Sequence, residues 1–164
     1  MDSLDRILNQ WAIEKPELDT LPMGILGRLL RLSKHLETEI SQTHHQFGLK
    51  LGEFDVLATL RRAGNPYALT PSELLSSLLL TSGAMTNRLD KLENKQLITR
   101  QHNKEDRRSV SIQLTPQGLQ LIDRALVAHV ETQHGLLECL NEDKKEYVNE
   151  ILKDWLREFE LPQK

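Results

Sequence analysis

The chain has 164 residues, enough for one domain with a sizeable hydrophobic core but too few for two ordinary domains. Its composition is that of a folded soluble protein, it has no apolar run near the ~20 residues that span a bilayer, and its beginning lacks a secretory pattern. These features predict a cytoplasmic protein with no membrane partner, and the single cysteine, Cys139, excludes an internal disulfide and a multi-cysteine metal site.

Helical periodicity accounts for most of the chain up to residue 94. Thr70 is a capping residue, Pro71 suits the first helical position and Glu73 can reach back to the cap, so a helix is predicted to begin there. The predicted helices are Leu4–Ile13, Pro22–Gln46, Glu53–Arg62, Pro71–Leu78 and one that opens at Thr81 and ends near Asn94.

The period changes to two after residue 96. Val110, Ile112 and Leu114 alternate with polar residues, which indicates a half-buried strand over Ser109–Leu114. Leu97–Gln101 is predicted to be its partner across a charged turn. Two more helices are expected after the hairpin, from Thr115-Pro116 to about Cys139 and over Glu142–Phe159.

This order predicts a mainly α fold with a small β-hairpin: a winged helix-turn-helix flanked by dimerisation helices. Residues 48–115 are expected to form the DNA-binding lobe, and residues 1–47 and 116–164 the dimerisation helices. One winged helix cannot cover the apolar faces of all the end helices, so a homodimer is predicted.

Charge is distributed unevenly along the chain. The formal net charge is −3, yet residues 81–115 hold seven basic and four acidic side chains, while the remainder holds fourteen basic and twenty acidic ones. A local basic patch on an acidic chain attracts phosphate at one place. A plain solvated surface would give the same count, so charge alone leaves both interpretations open.

The helix that follows Thr81 has the composition of a DNA-reading helix. Small polar residues at its beginning would let the backbone approach the major groove. Thr86 suits a base edge or a thymine methyl, Asn87 suits adenine, and longer basic side chains would reach phosphates or bases. In the hairpin, two arginines could enter a narrow minor groove, and an aspartate could hold an arginine in a bidentate pair and so aim it. The predicted DNA-binding residues are Thr81, Ser82, Thr86, Asn87, Arg88, Lys91, Asp106, Arg107 and Arg108. A polar surface helix and a salt-bridged hairpin are the plainer alternatives.

The stretch from Leu69 to Asp123 resembles the MarR (multiple antibiotic resistance regulator) family. The resemblance is carried by TNRLDKLE at 86–93, LITR at 97–100, DRR at 106–108 and LTPQG at 114–118. It implies a dimer joined through its terminal helices that binds a palindromic DNA operator and usually represses. Many such proteins release DNA when they bind a small anionic or aromatic effector. One departure is Gln96, which stands where the family usually has glycine after the recognition helix.

The N-terminal extension is similar to that of the urate-responsive branch of the same family. The resemblance implies a ligand-binding set of Trp11, Asp55, Arg88 and Arg100. Arginine binds an anion through a planar fork, and tryptophan offers a stacking face. The alternative is that Trp11 anchors the core and that Asp55 forms a stabilising ion pair with one of the arginines.

No other chemistry stands out. The chain shows no nucleophile with an organised base and no glycine-rich phosphate loop, so we expect neither an enzyme nor a cofactor. His44 and His45 are adjacent and would point in different directions on a helix, which is poor metal-ligand geometry. Cys139 is expected to be buried and inert. The alternative function is a dimeric winged-helix interaction module that does not bind DNA.

Overall fold

Seven helices and three short strands form the described part of the chain, residues 1–78, 85–102 and 110–160 of a computed structural model. The helices are α1 (Ser3–Glu14), α2 (Leu21–Gln46), α3 (Leu51–Arg62), α4 (Pro71–Ser77), α5 (Met85–Asn94), α6 (Pro116–Leu136) and α7 (Glu142–Glu160). The strands are β1 (Ala68–Leu69), β2 (Ile98–His102) and β3 (Val110–Leu114). The predicted DNA-binding residues Thr81, Ser82, Asp106, Arg107 and Arg108 lie outside the described residues.

The first helix packs closely on the second because a glycine faces it. A Cβ atom at Gly27 would lie 2.8 Å from Leu4 Cδ1, so a larger residue there would force the Leu4 side chain to move. Arg28 then joins the beginning of α1, donating to Asp2 at 2.7 Å and to Asp5 at 2.6 Å. The hydrogen bond from Arg28 is the main reason that the pKa of Asp2 falls to about 2.

The hydrophobic core belongs mainly to the winged helix, with α3 at its centre. The three strands form an antiparallel sheet in the order β1-β3-β2, in which Ile98 pairs with Leu114 and Ala68 pairs with Gln113. The strand β1 was not expected from the sequence. The core residues are Leu49, Phe54, Val56, Leu57, Leu60, Leu74, Leu89, Leu92, Leu97, Ile98, Ile112, Leu114, Ile122 and Ala125.

Helix α5 ends in a Schellman motif that does without glycine. Gln96 N–H donates to Glu93 O at 2.8 Å, and Leu97 N–H donates to Leu92 O at 3.0 Å. Gln96 takes the left-handed conformation that this motif requires, with φ of 59°. The departure from the family's usual glycine therefore keeps the turn but places a residue with a side chain in a strained conformation.

The beginning of α6 is joined to this turn, in what we call the α5–α6 junction (Gln96, Leu97, Thr115 and Gly118). Thr115 donates its N–H to Leu97 O at 3.1 Å and its hydroxyl to Gln96 O at 2.7 Å, while it accepts from Gly118 N–H at 2.9 Å. A Cβ atom at Gly118 would lie 1.9 Å from Leu97 O. Only glycine lets the two backbones approach this closely.

The large apolar residues of helix α7 are exposed in the single chain. In the described part of the chain, none of its 19 residues is buried, although it carries a stripe of large apolar side chains. Its exposed apolar residues are Tyr147, Val148, Ile151, Leu152, Trp155, Leu156 and Phe159. An apolar face of this size on one chain is typical of an interface.

The expectation that Cys139 is buried is wrong. The structure ends α6 at Leu136, three residues earlier than predicted, and Cys139 is exposed in the turn between α6 and α7. Because Cys139 lies in a turn and not on the inner face of a helix, its side chain does not pack in the core.

No helix in the described ranges is both long enough and apolar enough to span a bilayer.

Candidate nucleic-acid interface

Helix α5 buries one face and presents another that is polar. Leu89 and Leu92 are 5% and 0% exposed and pack in the core of the lobe. Thr86, Asn87 and Lys91 are exposed on the other side. The predicted reading residues that the structure describes therefore lie on a surface that a large partner can reach.

Arg88 lies between this surface and the beginning of α3. A Cβ atom at Gly52 would stand 2.5 Å from Arg88 Nε and 2.8 Å from its Cζ, so the guanidinium rests on the backbone of α3. A shallow concavity of about 290 Å³ opens here. Its lining residues are Lys50, Leu51, Gly52, Glu53, Asn87, Arg88 and Lys91, of which three are cationic. The arrangement suits an anionic group, whether a DNA phosphate or a small anion.

One of the lining residues, Glu53, is a buried carboxylate paired with Lys95, whose side chain is 40% exposed. Glu53 is 2% exposed and accepts from Lys95 Nζ at 2.8 Å and from Lys50 N–H at 2.8 Å. Burial alone would raise the pKa of Glu53, but the hydrogen bonds from Lys95 and Lys50, together with the charges of Lys95 and Lys91, lower it below its usual value. The carboxylate is therefore charged, and its Oε2 accepts both hydrogen bonds.

Arg100 joins the first strand of the wing to α5. Its guanidinium donates to Asp90 Oδ1 at 2.6 Å and to Glu93 Oε2 at 2.5 Å, and its N–H donates to Glu93 Oε1 at 3.2 Å. The hydrogen bond with Asp90 is the main reason that the pKa of Arg100 is raised. The acidic partners of Arg100 are thus on α5, whereas the sequence alone suggested Asp55 as a possible partner.

The four residues of the predicted ligand set do not meet within one chain. Gly52 and Asp55 are one turn apart on α3, so Asp55 lies next to the place where the Arg88 guanidinium packs. The Asp55 side chain is buried, at 6% exposed. Trp11 lies near the beginning of α2, because Leu8 of α1 packs at Gly24. Most of α2 separates the two places, which is about 30 Å along the helix axis.

Trp11 is not a core anchor in the single chain. It is 39% exposed and lines an open concavity together with Gln10, Ile13 and Glu14. A half-exposed tryptophan near the end of a helix is available to a second chain or to a ligand.

The pairing of His44 with His129 between α2 and α6 was not predicted from the sequence. His44 is fully buried, its Nε2 lies 3.1 Å from His129 Nδ1, and its ring stacks on Phe54 at 3.8 Å. Burial, then the charges of His129 and His45, lower the pKa of His44 to about 4. Among the described residues, no three metal-ligating side chains form a group that could hold a metal ion.

A short helix, a polar second helix set on α3, and a strand pair joined to that helix by Arg100 define a winged helix-turn-helix DNA-binding protein. Residues 49–110 match the model of the MarR family. The chain is 39% identical to the HTH-type transcriptional regulator PecS of Dickeya dadantii (strain 3937), over 89% of this chain and 88% of PecS. It is 31% identical to the HTH-type transcriptional regulator MhqR of Bacillus subtilis (strain 168), over 79% of this chain and 85% of MhqR.

A solved structure of a cysteine-to-serine MarR mutant from E. coli, complexed with operator DNA, superposes with a TM-score of 0.71 and 25% identity. The match covers 85% of this chain and 99% of that one. The chain belongs to the MarR family and is a DNA-binding transcription regulator, as the sequence predicted. The alternative of an interaction module that does not bind DNA is not supported.

Proposed function

We propose that the chain is an effector-responsive repressor that binds a palindromic operator as a homodimer and catalyses no reaction. The observation that supports this best is α5, whose apolar side is fixed in the core while Thr86, Asn87 and Lys91 are exposed on the other. A helix held in this way can enter the major groove without rearrangement.

The reading residues have separable roles in this proposal. Asn87 pairs with a base edge, and its replacement by alanine should cost ~1–3 kcal/mol on the operator and relax specificity at one position per half-site. Lys91 neutralises a phosphate, so Lys91→Ala should weaken all DNA sequences about equally and flatten the salt dependence. Arg108, which lies outside the described residues, is proposed from the sequence to reach the minor groove.

The experiment begins with selection of the operator from genomic fragments by the wild-type protein. Titrations of the selected duplex and of a random duplex of equal length then compare Asn87→Ala, Lys91→Ala and Arg108→Ala. The proposal requires Asn87→Ala to lower affinity for the operator more than for the random duplex. If all three variants bind the operator as the wild type does, α5 and the wing do not read DNA.

The homodimer is supported by apolar surface that the single chain leaves uncovered. Leu29 of α2 and Leu152, Trp155, Leu156 and Phe159 of α7 line a shallow apolar concavity, and exposed leucines continue along α2. Two chains that cover these faces would also set the spacing of two reading helices at about 34 Å, one turn of duplex.

A double substitution tests the dimer. Ile151→Glu with Trp155→Glu should yield monomers with much weaker operator binding, because charged side chains would have to be buried at the interface. Sedimentation measures the mass, and circular dichroism checks that the winged helix remains folded. A folded wild-type monomer at micromolar concentration would contradict the proposal.

For the effector we propose a small anionic aromatic compound bound at Asp55, Arg88 and Arg100. Trp11 of the same chain is distant from Asp55 and Arg88. A tryptophan at this site would therefore have to be Trp11 of the second chain of the dimer. An anion that draws Arg100 away from Asp90 and Glu93 would separate the wing from α5 and so weaken DNA binding.

Tryptophan fluorescence tests this site with urate and benzoate as probes. The chain has two tryptophans, so the titration is made in a Trp155→Phe background in which Trp11 is the only emitter. Binding should quench Trp11 and lower operator affinity, and Trp11→Phe should lose the second effect. If Trp11→Phe releases DNA at an unchanged probe concentration, the sensing site is elsewhere.

A further inference from the structure

We propose that Lys95 is a positioning residue for DNA binding, which ties the C-terminal end of α5 to the turn between α2 and α3. From its sequence alone, Lys95 would count with Arg88 and Lys91 as one more cation for phosphate, since the three are spaced three and four residues apart. The proposal rests on the proposed role of α5 as the reading helix.

The geometry assigns the ammonium group of Lys95 to the protein itself. Lys95 Nζ donates to Glu53 Oε2 at 2.8 Å and to the backbone oxygen of Gly48 at 2.9 Å. Two of its three donors are therefore engaged on α3 and on the preceding turn. Moving the ammonium to a DNA phosphate would leave the 2%-exposed Glu53 without its counter-charge, which is costly for a buried carboxylate.

The turn that receives Lys95 is itself well fixed. Gly48 has φ of 69°, and Gly48 N–H and Leu49 N–H donate to His45 O and His44 O at 2.9 and 3.1 Å. This turn ends α2, the long helix proposed to form part of the dimer. Lys95 therefore connects the reading helix directly to the element that sets its distance from the other half-site.

Three variants separate positioning from phosphate contact. Lys95→Met keeps the aliphatic stem but removes the charge, and Lys95→Arg keeps the charge. Lys95→Met combined with Glu53→Gln removes both charges, so no unpaired carboxylate is left buried and the acceptor for Lys50 N–H is kept. Lys91→Met is the matched control for a cation of α5 that is proposed to contact phosphate.

Each variant is titrated with the operator selected by the wild type and with a random duplex, at several salt concentrations. We expect the double variant to lose roughly thirtyfold or more in operator affinity, comparable to one misplaced base contact per half-site, with little change on the random duplex. Its salt slope should equal that of the wild type, whereas Lys91→Met should reduce the slope by about 1.8, for two phosphates per dimer. Lys95→Arg should retain most of the wild-type affinity for the operator.

Hydrogen exchange of α5 amides adds a readout that does not depend on DNA. Exchange over residues 85–94 should be faster in the double variant than in the wild type and unchanged in Lys91→Met. Wild-type operator affinity and α5 exchange in the double variant would overturn the proposal. So would a flattened salt slope with equal losses on both duplexes, because that result identifies a phosphate contact. Failure of the wild type to bind any DNA would instead contradict the proposed function.

Discussion

Replacing Gly118 by alanine perturbs the α5–α6 junction at one point. The new Cβ atom would lie 1.9 Å from Leu97 O, where real Cβ atoms essentially never come within 3.0 Å, so the backbones must separate by more than 1 Å. Overpacking of this kind costs roughly 1–3 kcal/mol, and weakening the bond from Thr115 N–H to Leu97 O adds about 1 kcal/mol. Alanine gains at most about 1 kcal/mol from helix propensity.

The net expectation is a free energy of unfolding lower by about 1–3 kcal/mol. With a urea m-value of about 2 kcal/mol/M, the unfolding midpoint should fall by roughly 1 M. Gly135→Ala is the matched control, because Gly135 lies in the same helix with nothing within 4 Å of its Cβ position, and that variant should be neutral or slightly stabilising. Both are compared at one protein concentration. A midpoint for Gly118→Ala that equals or exceeds the wild-type midpoint would refute the reasoning.

Three further outcomes are expected. Gln96→Gly should raise the free energy of unfolding by about 1 kcal/mol, measured by urea titration, because glycine adopts a φ of 59° without strain. His44 has a pKa of about 4 when folded and 6.5 as its ordinary value, so stability is retained above pH 6.5 and is lost as the pH falls toward 4, by up to about 1.4 kcal/mol per pH unit. Gly52→Ala should displace Arg88 with little loss of stability and lower operator affinity in a duplex titration.

Each of these outcomes has a control. A Gln96→Ala variant should gain much less than Gln96→Gly, and an equal gain would point to the side chain instead of the backbone. The acid-induced loss should be smaller in His44→Gln, and an unchanged pH profile there would assign the loss to other groups. For Gly52→Ala, affinity equal to that of the wild type would mean that the position of Arg88 over α3 does not matter for DNA.

The fold could be predicted from the sequence because its signals are local. The cap at Thr70, the period-two alternation of Val110, Ile112 and Leu114, and the apolar repeat of α7 each determine an element within a few residues. The strand β1 was missed because two residues carry no periodicity, and its pairing with β3 depends on contacts more than forty positions away.

The contacts within the candidate site were harder to predict from the sequence, because the interacting side chains belong to different helices and strands. Arg100 could be recognised as a cation that needs an anion, but sequence spacing does not say that Asp90 and Glu93 supply it. The engagement of Lys95 by Glu53 was invisible for the same reason. Arg88 lies over Gly52 because its guanidinium packs against the backbone of α3, and no pattern of side chains in the sequence indicates such a contact.

The α5–α6 junction also couples the orientation of α6 to the position of α5. A 21-residue helix is about 32 Å long, so tilting it by about 5° about one end carries the other end through roughly 3 Å. Since Thr115 and Gly118 join the turn after α5 to the first turn of α6, the reading helix would move with that end of α6. A small change of angle where α6 meets α2 would thereby become a shift at the reading helix comparable to the rise of one base pair.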